Sequence, residues 1–375
     1  MSGGVTQLLA VGAQDVYLTQ NPEVSFFRSN YKRHTHFATS VERQPFSGNP
    51  NPGTMTTVIP RVSGDLLGYM YITASNTASN TLITNINWAN TINYIQLYIG
   101  GNLIDTQDVT FSTLIDPVCL TDSYSQRYGG QTSNTTSSQN TFYPLRFFFN
   151  KDWQNALPLG GIQFQQVQLN IYWSTNMNPA YQYNMWANYI YLDGPERVYF
   201  TNNGTDANGK PAVIDMLIHQ VQTAPVPPNN DLLLAFTQPV KFLAAPVNAY
   251  TNGNQTLNYN INGGSNINQE FRGLPHFQEI TQYYHTPQGL HNPGSAAGNL
   301  APAPIIIIPF CLDTAKLQPT GSINFSRIDS FDLLTDPGTG INLTPNIFPA
   351  GSSIYAVNYN ILRVQSGYAA LLYAN

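Results

Sequence analysis

The stretch SIYAVNYNILRVQSGYAALLYAN, residues 353–375, sets Ile354, Tyr355, Val357, Tyr359, Ile361 and Val364 along a run with a single charge, Arg363. Apolar and aromatic residues that recur with so little charge between them predict a long strand held inside a sheet, not a frayed tail. Such a strand closes a fold, because other strands must pair with its edges and an apolar layer must cover it. The rest of the chain therefore has to supply strands.

It supplies them almost without interruption. Runs rich in β-branched and aromatic residues predict strands at residues 65–73, 92–99, 142–149, 162–173 and 189–192. Gly100-Gly101, between YIQLYI and NLID, reads as a two-residue hairpin turn, since glycine reaches positive φ without steric cost. GGQTSNTTSSQN at residues 129–140 reads as a polar surface loop. After Leu192, the stretch DGPERVYFTNNGTDANGKPA gathers Pro, Gly and Asn and marks a boundary. Strand texture resumes at Val213 and continues through residues 232–247, FQEITQYY at 277–284, and APIIIIPFCL at 303–312. Two halves of this kind, with no helices to cover the sheets, must bury sheet against sheet. The expected fold is all-β: two tandem eight-stranded jelly-roll sandwiches, the usual eight-stranded form. The expected divisions are an N-terminal arm at 1–27, a first roll at 28–192, a connector at 193–212 and a second roll at 213–375.

Polarity here is carried by amides. There are 41 Asn against 15 Lys and Arg and 20 Asp and Glu, and charged residues make up 9% of the chain, where an average soluble domain has about 25%. Few charges mean little repulsion between neighbouring molecules, which suits a protein largely covered by copies of itself. A secreted, glycan-covered β protein is the other reading. The net charge of -5 gives no basic footprint for nucleic acid, so no direct contact with a genome is expected. The opening MSGGVTQLLAVGAQD lacks the basic and long apolar segments of a secretory leader, and no run of about 18 apolar residues occurs, so neither secretion nor membrane spanning is expected. Cys119 and Cys311 each sit in apolar sequence and read as free buried thiols. Sequons stand at Asn134, Asn203, Asn254, Asn324 and Asn342, but without a leader the usual glycosylation route does not reach them.

No catalytic constellation emerges. His34 and His36 share a strand face, as a metal pair would, but no third ligand is near in sequence, and His219, His276, His285 and His291 are scattered. Asp105 and Asp108 could serve as acid and base; the plainer reading is that they solvate a loop after the hairpin. A GxSxG elbow, a P-loop and a dinucleotide fingerprint are all missing. No enzyme, cofactor or metal is expected. Arg28, Lys32 and Arg33 form a basic cluster too short for stable membrane anchoring, read as a solvated or ion-paired entry to the first strand. Arg327 and Asp329 in NFSRID stand two apart, hence on one side of a strand, and read as a structural pair if that side is buried.

Several separated segments, in a shared order, resemble the major capsid proteins of the nucleocytoplasmic large DNA viruses. They are GAQDVYLTQNPEVSFFRSNYKRHTHFA at 12–38, LPLGGIQFQQVQLNI at 157–171, YIYLDGPER at 189–197, FTQPVKFL, FQEITQYYHT, QPTGSINFSRID and the closing YAVNYN. The resemblance covers nearly the whole chain. It implies a double jelly roll that trimerises with a pseudo-hexagonal outline and tiles an icosahedral shell over an internal membrane, contacted only indirectly, with assembly in the host cytoplasm. It further implies that the arm lies on the inner side of the shell, where Leu8, Leu9, Val11 and Val16 meet minor capsid proteins, and that Arg28, Lys32 and Arg33 contact a neighbouring subunit or such a protein. Departures from the family pattern are the short chain, PERVYF where relatives often carry several arginines, and SGYAALLYAN where relatives have more glycine. The alternatives are a carbohydrate-binding or glycan-processing double sandwich, or a minor capsid protein.

Overall fold

The computed structural model describes residues 3–83, 86–121, 141–201, 213–226, 231–247, 256–262, 272–273, 276–287, 304–336, 347–349 and 351–373. Contacts divide the chain into two units, Met1–His36 and Phe37–Asn375. The first unit holds two short helices, Gly3–Leu9 and Val16–Thr19. Between them the Gly12 N–H donates to Asp15 Oδ2 at 2.8 Å, which turns the chain locally. None of its described side chains is buried.

The second unit begins with β1 (Phe37–Gln44), β2 (Phe46–Ser47), β3 (Met55–Val58), β4 (Leu66–Asn76), β5 (Ile92–Ile99), β6 (Asn102–Asp108), β7 (Phe142–Pro144), β8 (Val167–Trp173) and β9 (Tyr181–Leu192). It continues with β10 (Val213–Pro225), β11 (Asp231–Leu233), β12 (Pro239–Pro246), β13 (Thr256–Ile261), β14 (Arg272–Gly273), β15 (Ile305–Pro309), β16 (Ile323–Asn324), β17 (Phe331–Asp336), β18 (Ser353–Gln365) and β19 (Tyr368–Leu371). The sheets are β1-β9-β4-β7 and β2-β3-β8-β5-β6 in one half, and β10-β18-β12-β15 and β11-β17-β13-β14 in the other, with β16 beside β12 and β19 beside β18. With the short β2, β16 and β19 set aside, the eight remaining strands of each half pair in the same order, 1-8-3-6 and 2-7-4-5. That is the jelly roll, made twice.

The sheet β10-β18-β12-β15 is buried on both faces. Leu243, Ala245, Ile306, Ile308, Ile354 and Ala356 point into the second roll's own sandwich core. Their alternating neighbours Phe242, Ala244, Ile305, Ile307, Tyr355 and Val357 pack instead with Phe111, Ile115, Val118 and Cys119 from the first roll. Ile214, Met216 and Ile218 of β10 join the first roll's own core. A strand covered on both sides loses the period-two pattern and reads as a continuous apolar run, which accounts for IIII at 305–308 and FLAA at 242–245.

The predicted hairpin is present: Gly100 (φ 59°) and Gly101 (φ 84°) join β5 to β6. Other expectations are corrected. FQEITQYY is not a strand but a π-turn, His276–Ile280, running into a helix, Thr281–His285. Its burial at Phe277, Gln278, Thr281 and Gln282 follows a helical period. The run at 142–149 stops being a strand at Pro144, which offers no N–H to a ladder, and continues as buried phenylalanines in a 3-10 turn, Phe148–Asn150. Beyond Leu192 the expected irregular connector holds a helix, Gly194–Thr201, whose Arg197 grips Asp65 through two bonds of 2.9 and 3.1 Å. The loop at 129–140 lies outside the described residues.

Candidate assembly surfaces

Two surfaces of the second unit carry chemistry that a lone sandwich does not need: the junction between the rolls, and an open aromatic groove on the first roll. The junction is built around the segment that follows β6. Asp108, closing that strand, accepts the Phe111 N–H at 2.7 Å and the Tyr355 hydroxyl of β18 at 2.5 Å, so one carboxylate starts the π-turn Phe111–Ile115 and ties it to the other roll. The following helical turn, Asp116–Cys119, is anchored inward. Asp116 is fully buried, paired with Lys151, 3.6 Å from Arg146 and 3.0 Å from the Thr121 hydroxyl. Lys151 lies close enough to bond directly.

Asp105 on β6 is 3% exposed and accepts N–H groups from Val221 of β10 (2.9 Å), Thr106 (3.0 Å) and the Gln107 amide (2.9 Å). The loss of water nevertheless outweighs these bonds and pushes its pKa up to about 6. Beside it an amide ladder of the second roll reaches the first roll through one bond. Gln220 donates to the Ile104 carbonyl at 2.5 Å, Asn360 donates to Gln220 at 2.8 Å, and Asn358 donates to Gln238 at 2.7 Å. The His219 ring lies tilted at 48° to that of Tyr359, centroids 5.1 Å apart, and burial, then the nearby Lys241, hold its imidazole well below the usual range.

The groove lies on the outer face of β1-β9-β4-β7. Tyr69 and Tyr71 alternate with the core residues Met70 and Ile72 along β4, and Tyr71 stands across from Trp186 of β9 in register. Ring centroids are 6.4 Å apart for Tyr71 and Trp186, 6.3 Å for Tyr69 and Tyr71, 5.9 Å for Tyr69 and Trp153, and 6.0 Å for Tyr71 and Phe142. The space they enclose is about 690 Å³, with Lys151 and Asp152 at its rim. Trp153 is 62% exposed. Aromatic side chains left open in this way mark a surface meant to be covered.

The residues singled out from sequence fall elsewhere. Leu8 and Leu9 lie on the helix Gly3–Leu9, and with Val11 and Val16 they are exposed, Leu8 at 79%. Arg28, Lys32 and Arg33 are exposed in irregular chain, as are His34 and His36. Among the described residues no cluster of three metal-ligating side chains forms. Asp105 and Asp108 do not solvate a loop: both belong to β6, and both bridge the rolls. Arg327 and Asp329 are not on a strand. The Asn324 side chain accepts the Ser326 N–H at 3.0 Å and winds Phe325–Arg327 into a 3-10 turn, leaving both residues exposed, with no ion pair between them among the described residues. Cys119 and Cys311 are free and buried, as read from sequence. Of the sequons only Asn324 falls within the described residues. The groove went unread, although its signal was present: Tyr69-Met70-Tyr71-Ile72 is apolar on both faces of a strand, which asks for cover on both.

Comparison with known proteins follows the same division into halves. The family model described as the major capsid protein N-terminus matches residues 25–193, and the one described as the large eukaryotic DNA virus major capsid protein matches residues 212–370. The chain is 28% identical to the major capsid protein of Pyramimonas orientalis virus and 29% identical to that of Paramecium bursaria Chlorella virus 1, in each case over the full length of both chains. The PBCV-1 capsid structure superposes with a TM-score of 0.72 at 23% identity, covering 94% of this chain and all of that one, and the Faustovirus major capsid protein with a TM-score of 0.60. With both halves matched in order and the doubled jelly roll in place, the chain belongs to the major capsid proteins of the large eukaryotic DNA viruses.

Proposed function

We propose that this capsid protein is a shell brick that trimerises into capsomers of pseudo-hexagonal outline, and that these tile an icosahedral capsid. The observation that carries this reading is the shared junction: two rolls of identical strand order are locked by a doubly buried sheet into one rigid body, while an aromatic face of the first roll stays open. Residues 28–192 and 213–375 are its two domains, joined by 193–212, and residues 1–27 are an assembly arm. The arm's exposed Leu8, Leu9, Val11 and Val16 supply apolar contacts to minor capsid proteins on the inner side of the shell, with Arg28, Lys32 and Arg33 beside them. The protein acts as structure and not as an enzyme, it assembles in the host cytoplasm, and the internal membrane is met only through other proteins. The test is the native mass of the purified protein together with its image by electron microscopy. Three-fold particles with a hexagonal outline are expected. A monodisperse monomer at micromolar concentration refutes the reading.

A further inference from the structure

The junction between the rolls encloses a small space of about 20 Å³, room for one water or one monatomic ion but too small for an oxyanion such as phosphate. Both rolls wall it. Arg146, Phe148 and Lys151 come from the first, His219 and Val357 from the second. Asp152 also borders it, and that residue is open to solvent.

The buried charges around this space do not cancel. Asp116, the carboxylate behind it, is shared by Lys151, bonded to it directly, and by Arg146 at 3.6 Å. Two cations thus face one buried anion. The Arg146 side chain is 4% exposed and that of Lys151 14%, so water does little to weaken the surplus. Asp105, the other buried carboxylate on which Lys151 acts, is pushed by burial towards its neutral form, and its oxygens already accept three N–H groups. His219 senses the same field. Burial, then Lys241 and Lys151, keep its imidazole neutral, and no carboxylate among the described residues opposes them.

The imidazole supplies an independent observation. Its Nε2 is buried and has no hydrogen-bond partner among the described residues, whereas buried polar atoms are nearly always paired. With the ring neutral and its proton on Nε2, that atom donates. The guanidinium of Arg146 and the ammonium of Lys151 donate as well, and neither can accept. A water could accept from two such groups but brings two hydrogens that need acceptors of their own. A monatomic anion accepts from every side and balances the surplus charge.

We propose that this space is a binding site for a single halide ion, chloride in the cell, held by Arg146 and Lys151 of the first roll and by the Nε2–H of His219 of the second. The ion fastens one roll to the other. Both walls belong to one chain, so the site does not depend on whether or how the protein trimerises.

Two experiments on the full-length protein test it. In the first, the melting temperature is followed while sodium chloride or sodium bromide replaces sodium gluconate at constant ionic strength, gluconate being too large for the space. A saturable rise of about 2 °C is expected at a tenfold excess over the halide Kd. His219→Phe, which keeps a ring against Tyr359 and removes the nitrogen, is expected to abolish that rise. In the second, crystals of the wild-type protein grown in sodium bromide are measured at the bromine absorption edge, and an anomalous peak is expected within hydrogen-bond distance of His219 Nε2. This arm, with the wild-type melting series, decides the matter if the variant does not fold. Equal melting in all three salts, or a rise that survives in His219→Phe, overturns the site. So does a water in place of bromide at that position, and so does a bromide peak without a halide effect on melting, which marks binding at crystal concentration only.

Discussion

Asp105→Asn should make the protein more stable at neutral pH and less stable than wild type in acid. Asp105 is buried between the rolls, and its pKa rises from 3.8 to about 6 because burial outweighs the three N–H groups it accepts; Lys151, the charged group that acts on it, pulls the other way. A carboxyl whose folded pKa lies above its unfolded value stabilises the fold when protonated. That contribution is fully present below pH 3.8 and is lost as pH rises through about 6. The separation corresponds to ~3 kcal/mol. The amide in that place keeps an acceptor for the Val221 and Thr106 N–H groups and carries no charge, but its NH₂ faces the Gln107 amide, which costs about 1 kcal/mol. The expected net gain at pH 7.5 is ~2 kcal/mol. With an unfolding entropy of about 2.1 cal/mol/K per residue, a body of this size melts ~3 °C higher. Differential scanning fluorimetry of both proteins from pH 4 to 8, read as the difference between them, removes the titration of other groups, such as Asp215, which Arg363 holds below the usual carboxylate range. The gap should shrink as pH falls below about 6 and change sign at about pH 4.5, where the wild-type penalty has dropped to about 1 kcal/mol. A variant weaker by a constant amount at every pH refutes the reasoning.

Tyr355→Phe removes the hydroxyl that joins β18 to Asp108 and leaves a buried carboxylate with the Phe111 N–H; it should lower the unfolding free energy by about 1.5–3 kcal/mol in urea titrations, and a change below about 0.5 kcal/mol counts against a tie between the rolls there. Cys119 and Cys311 are buried, and burial pushes the Cys311 thiol up to about 11 and the Cys119 thiol well above its ordinary value. A thiol reagent at pH 8 should therefore label neither in the native protein and both after denaturation, and rapid native labelling of either contradicts the burial. Deleting residues 2–20 should leave the melting temperature of the body unchanged within about 1 °C, since no described side chain of that stretch is buried, while incorporation into shells is lost; normal incorporation would remove the assembly role from the arm.

What the sequence disclosed follows from how many faces of each element are covered. β5 and its Gly100-Gly101 turn were legible because one face is core and the other half-exposed, which preserves the period of two. β9 begins at Tyr181, well before the expected Tyr189, because Gln182 and Asn184 face outward and dilute the pattern. The helix Thr281–His285 hid behind aromatic density: Tyr283 and Tyr284 suggest a strand by propensity, yet they are exposed, and the buried positions are Thr281 and Gln282. Asp105 and Asp108 looked like solvating groups because a single chain offers no sign that a residue 116 positions away, Val221, will meet one of them. The aromatic groove was missed for a related reason. Its aromatics come from β4, β7, β9 and the turn at Trp153, and only the sheet order brings them together.

The abundance of amides gains a second meaning from the junction. Low charge reads as a property of the surface, but Gln220, Asn358, Asn360 and Gln238 are each at most 5% exposed and hydrogen-bond to one another within the second roll, with Gln220 donating onward to the Ile104 carbonyl of the first. Apolar packing alone is non-directional and would tolerate small rotations of one roll on the other. A ladder of amides does not, because each misplaced bond leaves a buried polar group unsatisfied at about 1–3 kcal/mol. Carboxylates and ammonium groups could set the same register, but at a greater desolvation penalty and with a dependence on pH; Asp105 shows what one such group does. The Gln220–Ile104 bond, held in place by the ladder behind it, therefore resists rotation of one roll on the other within the chain.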